Sequence, residues 1–445
     1  MNRILRLYAF LLPLLAAVFV FEFGVNVPYW DEFEFAGMMS GGPGFWKYIT
    51  APHNEHVMPL GKLAYYALAR LTSMDSKAMM YLSVIILSIP YLLLVRRIRT
   101  HDLMAAAATV LIFFTAFFSP RSCVNLLWGF QPPYLAAFSF GILAILSCDW
   151  FLRTRNGWHL LAASLCCTAA SLCSAHGLLS WVSVALAAIY SRQFRKCLAS
   201  LAPAAIIAAC YLVSARHFPP AAGGGGVSPA GSVRYFLTFL SGHLLFNARA
   251  GWVTGLAALT IAAYLVLRKN AGRSFLFVSL AAFGVLIAAA VSFGRSRFGL
   301  EESLTSRYFQ LQMPLFLAFG VYLAEGHHAV DSASAGPGNP RRFAAGSCLV
   351  LLTVLGLASY NTARGMQSAA EFREERLRGA EIMRDSGAWP CAAAERYLYP
   401  NCARARRLRD FLKAEGLSLF ASGHPAAADG TRGGESGSSG KGERK

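Results

Sequence analysis

Along most of the chain, apolar runs of roughly 18 residues alternate with short polar connections. A hydrocarbon core about 30 Å thick is crossed by about 20 helical residues, so runs of this kind read as membrane spans. The pattern predicts spans over residues 7–25, 78–95, 103–118, 134–152, 159–173, 178–190, 197–214, 251–267, 274–293, 308–324 and 343–360. The expected fold is therefore all-α: a polytopic transmembrane helix bundle of about 11 spans, filling residues 1–360.

The polar connections are not alike. Arg3 and Arg6, Arg96, Arg97 and Arg99, Arg153 and Arg155, Arg192, Arg195 and Lys196, Arg268, Lys269 and Arg273, and Arg341 and Arg342 occupy alternate connections. Basic loops stay in the cytoplasm, which puts the N-terminus inside. An odd number of spans then leaves everything from Asn361 outside. The long connections, residues 26–77, 215–250 with its run Gly223-Gly224-Gly225-Gly226, and 294–307, are external. Long loops are entropically costly and commonly carry function, so chemistry is expected on the outer face. Within the first of them, residues 57–74 read as an amphipathic helix lying in the interface. Leu60, Leu63, Ala67 and Leu71 form one side, with Lys62 and Arg70 elsewhere. Residues 361–420, with Glu371-Phe372-Arg373-Glu374-Glu375-Arg376, read as a small external helical segment, solvated, and the Gly/Ser-rich residues 421–445 as a disordered tail.

Composition agrees with this pattern. Of 445 residues 56% are hydrophobic and 14% charged, against about 25% charged in soluble domains. Soluble enzymes, coiled coils and disulfide scaffolds are excluded. The net charge of +18 would suit nucleic acid, but the cations are scattered among short loops instead of forming one patch, so nucleic acid is not an expected partner. The start of the chain resembles a signal peptide, yet no small-residue cleavage site follows Phe21-Glu22-Phe23, and it is read as a retained first span. Most cysteines fall in spans and act as small apolar residues. Cys391 and Cys402 fall in the external segment, where a disulfide and two free thiols are equally open readings.

Four segments could carry chemistry. Tyr29-Trp30-Asp31-Glu32-Phe33-Glu34 sets three carboxylates among aromatics just beyond the first span. Apolar neighbours raise a carboxyl pKa toward general-base range, and Asp31 with Glu32 could share a divalent cation; the bland reading is an aromatic interfacial belt with solvated acids. His53-Asn54-Glu55-His56 supplies two imidazoles, an amide and a carboxylate, usable for substrate or, through His56, for a metal ion, or else merely caps the helix after it. Its spacing is not that of a zinc peptidase. In the segment from Arg121 to Gln131, the side chains of Arg121, Asn125, Trp128 and Gln131 suit sugar hydroxyls or a phosphate, or else form a turn anchored by Trp128. Arg295, Arg297, Arg307 and Tyr308 stand in an outer connection against the charge rule, suited to a phosphate at the membrane surface, unless Glu301 and Glu302 pair with the arginines. His176 is a weaker candidate on another outer turn.

A single first span, an outer loop opening with Trp30-Asp31-Glu32 and closing with His53-Asn54-Glu55-His56, many further spans and an outer C-terminal segment resemble the GT-C superfamily of glycosyltransferases. The segments Asn125-Leu126-Leu127-Trp128-Gly129-Phe130-Gln131 and Ser306-Arg307-Tyr308 are similar to those of its bacterial multi-pass members. Its relatives of known activity include protein O-mannosyltransferases and the lipid A aminoarabinose transferase. The resemblance implies that Asp31 is catalytic base or metal ligand, with Glu32 adjacent, and that Arg295, Arg297 and Arg307 hold the phosphate of a polyprenyl-linked sugar donor. A large acceptor-binding domain is lacking.

The expectation is thus hexosyl or pentosyl transfer from a polyprenyl-phosphate sugar to a hydroxyl of a glycan, lipid or protein, at the external face of a bacterial inner membrane. A divalent cation, Mg or Mn, held by Asp31, Glu32 and His56, is an optional cofactor. The rival expectation is a multi-pass transporter or flippase, which would place ionisable groups near the midplane and show repeated halves.

Overall fold

The computed structural model describes residues 3–39, 44–98, 100, 102–214, 216, 228–245, 247–267, 274–333, 340–385 and 389–421. Helix α1 (Arg3–Phe23) is followed by three shorter ones, α2 (Glu32–Met39), α3 (Phe45–Thr50) and α4 (Pro59–Leu71). Next come α5 (Ser76–Arg97), α6 (Leu103–Phe118), the brief α7 (Cys123–Leu127) and α8 (Pro132–Thr154). Helices α9 (Gly157–Ser171), α10 (Val182–Ser191), α11 (Phe194–Ser200) and α12 (Ala202–Ser214) precede α13 (Pro229–Leu245), α14 (Ala248–Leu267) and α15 (Phe275–Arg295). After 3-10 turns come α16 (Phe309–Gln312), α17 (Pro314–Ala333), α18 (Pro340–Arg384), α19 (Cys391–Tyr397) and α20 (Cys402–Ala414). Several starts are capped by a side chain that accepts the first free backbone N–H groups, as Asp75, Asp102, Asn156, Ser274 and Asn401 do.

Among the described residues, eight helical stretches are long and apolar enough to cross a bilayer: Leu5–Phe23, Ser76–Arg97, Leu103–Leu127, Pro132–Thr154, Phe194–Ser214, Ala248–Leu267, Phe275–Phe298 and Gly346–Arg384. The chain is a multi-pass membrane protein built from helices. Three expected spans fall on shorter pieces: α9, the stretch Ala175–Ser191, and Pro314–Glu325. At 1.5 Å per residue α9 is roughly 22 Å long, short of the bilayer core, whereas the third piece continues as α17 to Ala333, 20 residues or roughly 30 Å. They are packed inside the bundle, where Ala163, Cys167, Val184, Ala187, Leu315 and Ala318 are wholly buried.

Two boundaries differ from expectation. Within residues 215–250, read above as a loop, α13 is a helix whose apolar run is interrupted by Arg234 and His243. It crosses α14 closely: a Cβ on Gly255 would stand 1.8 Å from the Leu237 carbonyl oxygen. Small residues at such crossings are how helices associate in lipid. In addition, α18 runs unbroken from Pro340 to Arg384, so the division at residue 360 falls inside one helix. The run Gly223–Gly226, the cations Arg99, Arg268, Lys269 and Arg273, and residues 422–445 lie outside the described residues.

One end of the bundle is clamped by charge. Arg97, at the end of α5, donates to Asp149 at 3.1 Å and to Glu325 at 2.9 Å. Arg153 donates to Asp149 at 2.8 Å, and Ser274, the cap of α15, donates to Glu325 at 2.6 Å. Four helices, α5, α8, α15 and α17, thus meet at one polar knot.

At the other end, α2 to α4, the last turns of α18, α19 and α20 form a cap with its own apolar core. Phe33, Phe35, Met58, Tyr65 and Phe130 pack there with Ala380, Met383, Leu398, Leu408 and Leu412. Residues 361–420, expected to be a solvated helical segment, keep an exposed face that includes Glu371, Glu374 and Glu375, and from Phe372 onward pack their other face on the connection between α1 and α5. A disulfide joins Cys391 to Cys402, ties α19 to α20 and resolves the open question of those thiols. The expected amphipathic helix is α4, but Gly61, Lys62, Tyr65 and Ala69 face the protein, while Leu63, Ala67 and Leu71 are exposed. Lys62 is buried because its ammonium donates to the carbonyls of Tyr48 at 2.9 Å and Ala51 at 2.7 Å. The side read above as apolar is thus an outward face, suited to lipid as an interfacial helix requires.

Removing Asp149 leaves two guanidinium groups without their shared acceptor. Asp149→Ala is expected to cost about 3–5 kcal/mol, seen as a lower unfolding temperature of the detergent-solubilised protein by circular dichroism. An unchanged transition would show that the knot does not clamp the bundle.

Candidate functional site

The site begins where the chain leaves α1. The indole of Trp128 donates to the Tyr29 carbonyl at 3.0 Å, and the Trp30 N–H donates to the Leu398 carbonyl at 2.7 Å. The Arg376 guanidinium lies 3.5 Å from the centre of the Tyr29 ring. These contacts hold Trp30 at φ 46°, which is uncommon for a bulky residue. Burial of Phe33 and Phe35 sets the phase of α2. Asp31 and Glu34, three residues apart, then share one side.

That side faces His53. Its Nε2 lies 3.7 Å from Asp31 Oδ2 and its Nδ1 lies 3.8 Å from Glu34 Oε2. The ring is 7% exposed, is backed by Phe130, and its Nε2 has no hydrogen-bond partner among the described residues. Asp31 is 25% exposed, so the carboxylate is open while the imidazole is enclosed. His53 and His56 exchange backbone hydrogen bonds of 2.8 and 2.9 Å across a tight turn with Asn54 at φ 52°. Asn tolerates that conformation, and the pairing sends both rings to one face.

His56 is engaged differently. The Ala175 N–H donates to its Nδ1 at 3.3 Å, which puts the ring proton on Nε2, 3.7 Å from Glu55. Burial lowers its pKa to about 4, against the pull of Glu55, so the ring is neutral at pH 7. Ser174 sits between the rings of His56, at 3.3 Å, and His176, at 3.0 Å. Glu55 also pairs with Arg295 at the end of α15.

Other expected site residues are placed as follows. Glu32 is turned inward, 1% exposed, accepting from Ser76 Oγ at 2.9 Å, from the Tyr29 N–H at 3.2 Å and from the Tyr65 hydroxyl at 3.5 Å. A Cβ on Gly129 would stand 2.3 Å from its Oε1, so glycine is needed there. Burial pushes the Glu32 pKa up to about 8, which makes it a neutral acid at pH 7. Asn125 is buried, and its amide donates to the carbonyls of Ser306 at 3.3 Å and Arg307 at 3.0 Å, and to Gln310. It holds the segment that carries Arg307. Arg307 pairs with Glu302, and the Tyr308 hydroxyl donates to the same carboxylate at 3.3 Å. Arg297 is exposed and lies over Phe298. Gln131 is buried at the start of α8. Arg121 donates to Ser368 on α18 at 3.4 Å and so joins that helix to the bundle.

The site thus brings together Asp31, His53, Glu55, His56 and Arg295, and sets Glu32, Gln131 and Arg121 apart from them. The expected cation ligands Asp31, Glu32 and His56 serve three different sets of partners. Among the described residues no three His, Cys, Asp or Glu side chains converge as a metal-ligand set, so the donors do not fit an ion in this arrangement. The sequence reading missed Tyr399 and Arg404, which reach Glu34 from the C-terminal segment; they have no spacing signal, because only the packing of the cap brings them near.

Fold and site together define a multi-pass helical membrane protein with a polar cluster enclosed beneath a cap on one end of its bundle. No family model, curated protein or solved structure matches the chain.

Glu32 gives the cap a pH dependence whose sign follows from its raised pKa. Unfolded, the carboxyl ionises near 4.5; folded, near 8. Its contribution is full below pH 4.5 and is lost as pH rises through about 8. Glu32→Gln is expected to flatten the fall in unfolding temperature across that window, and an unaltered slope would contradict the assignment.

Proposed function

We propose that the protein is a glycosyltransferase of GT-C type that moves a sugar from a polyprenyl-phosphate donor to an acceptor hydroxyl of a glycan, lipid or protein. The observation that carries this reading is the open Asp31 carboxylate beside the enclosed His53, on the hairpin that also reaches Arg295 through Glu55. Asp31 takes the proton of the acceptor hydroxyl. The acceptor oxygen bonds to the anomeric carbon as the bond from that carbon to the phosphate oxygen breaks, and the polyprenyl phosphate leaves with the electron pair. Arg295, Arg297 and Arg307 meet the charge that develops on it, since guanidinium binds phosphate oxygens in pairs. Phe293 and Phe298 beside them are exposed apolar side chains suited to a lipid tail. No step passes through a cation.

The clustered cations favour a bundle of 11 passes with the N-terminus in the cytoplasm of a bacterial cell, and the disulfide favours an oxidising compartment for the cap. Transfer then occurs on the outer face of the inner membrane. Arg97, Asp149 and Arg153 stand in the last two turns of their helices instead of near the midplane, which favours surface chemistry over transport.

Asp31→Asn is expected to accumulate the lipid-linked sugar to the level of a deletion strain, measured by mass spectrometry of membrane lipids. Wild-type levels of that lipid, or flipping by purified protein in vesicles without consumption of it, would overturn the proposal.

A further inference from the structure

The C-terminal segment enters the site. The hydroxyl of Tyr399, between α19 and α20, donates to Glu34 Oε1 at 2.9 Å. Arg404 Nη1 donates to that hydroxyl oxygen at 3.1 Å and stands 3.6 Å from Glu34 Oε1. The other oxygen of Glu34 faces His53 Nδ1, and His53 Nε2 faces Asp31. Five side chains from three separated stretches of chain therefore form one line, Arg404 to Tyr399 to Glu34 to His53 to Asp31. Tyr399 lies inside the stretch closed by the Cys391–Cys402 disulfide, and Arg404 lies two residues beyond it. An enclosed imidazole nitrogen without a partner is costly unless something engages it. The group nearest to it is the proposed base.

We propose that the C-terminal segment completes this site: Tyr399 and Arg404 orient Glu34, Glu34 fixes the proton of His53 on Nδ1, and His53 Nε2 receives the proton that Asp31 takes from the acceptor hydroxyl. The inference rests on the reading of Asp31 as the base. A carboxylate held on one oxygen by a phenol and a guanidinium keeps one rotamer, and the ring nitrogen facing its second oxygen carries the hydrogen. Nε2 is then the acceptor. The proton passes from the Asp31 carboxyl to Nε2, leaving Asp31 as carboxylate and His53 as an imidazolium between two acids; it is released to solvent after the sugar has moved. The separations of 3.7 and 3.8 Å are longer than direct hydrogen bonds, and catalytic contacts of this kind tighten in the complex with substrate. Glu34, Tyr399 and Arg404 are positioning residues, since none faces the reacting atoms.

The test uses membranes holding the full chain and, as probe, the lipid-linked sugar extracted from the deletion strain. Tyr399→Phe, which removes one oxygen, and Arg404→Gln are expected to slow its maximal consumption roughly tenfold or more, with the half-saturating donor concentration unchanged. Arg404→Lys is expected to recover most of the rate. Amounts of folded protein are checked by the unfolding transition, and Tyr399→Phe keeps the test informative should Arg404→Gln fold poorly. Wild-type rates in both variants, or a change in half-saturation alone, would overturn the proposal while leaving transfer by Asp31 intact. A wild-type protein that consumes none of the probe would overturn the transfer reading, and this inference with it.

Discussion

The burial of Phe33 and Phe35 between α4, Phe130 and α20 is the contact from which the polar site takes its geometry. A helix turns about 100° per residue, so Phe33 and Phe35 point to nearly opposite sides, Phe33 against Tyr399 and Phe35 against Tyr65 and Phe130, and with both anchored the directions of their neighbours are settled. Asp31 and Glu34 fall on the side of His53, and Glu32 falls on the side of Ser76 and Gly129. Two adjacent carboxyl groups therefore live in opposite environments. One is open and stands beside an imidazole; the other is a neutral acid that helps hold the cap to the start of α5.

The protein is held together by different forces at its two levels. In lipid, apolar surface gains little by leaving its surroundings, and the bundle depends on close approach at residues such as Gly255 and on the charge knot around Asp149. In the cap, water is present and the burial of aromatic and aliphatic side chains is the main driving force, at about 1.5–3 kcal/mol for each large one. The disulfide adds to this by restricting the unfolded segment. The site lies where these regimes meet, with backbone from the cap satisfied by groups at the bundle end. Trp128 and Asn125 illustrate this. Read as sugar-binding side chains, they spend their donors on the carbonyls of Tyr29, Ser306 and Arg307, and so position the segments on which Asp31 and Arg307 stand.

Much of the bundle was legible because hydrophobic runs are long and lipid tolerates little else. What escaped was governed by contacts between distant stretches. Helix α13 was hidden by Arg234 and His243, whose polarity breaks the run without preventing a helix that packs on α14. The pattern of α4 marked its leucines as one side, and that side faces outward as a membrane surface rewards, but it did not show which residues pack inward, among them a lysine that is acceptable because two carbonyls receive it. Arg295 and Arg307 carried the right charge for an anion, but their pairing, Arg295 with Glu55 from 240 residues away and Arg307 with Glu302, differs in range. Only the second is local enough to be weighed from spacing.

The sequence by itself determined that this is a multi-pass helical membrane protein and which stretches are rich in polar side chains, because hydrophobicity and charge act residue by residue. Tertiary structure alone decided which of those side chains meet. The pairing of Asp31 with His53 and the inward turn of Glu32 follow from the packing of α2 against α4, Phe130 and the start of α5, and the arrival of Tyr399 and Arg404 at Glu34 follows from the docking of the C-terminal segment on the same connection. Such docking depends on the complementary shapes of two apolar surfaces hundreds of residues apart, a property that no local pattern along the chain encodes.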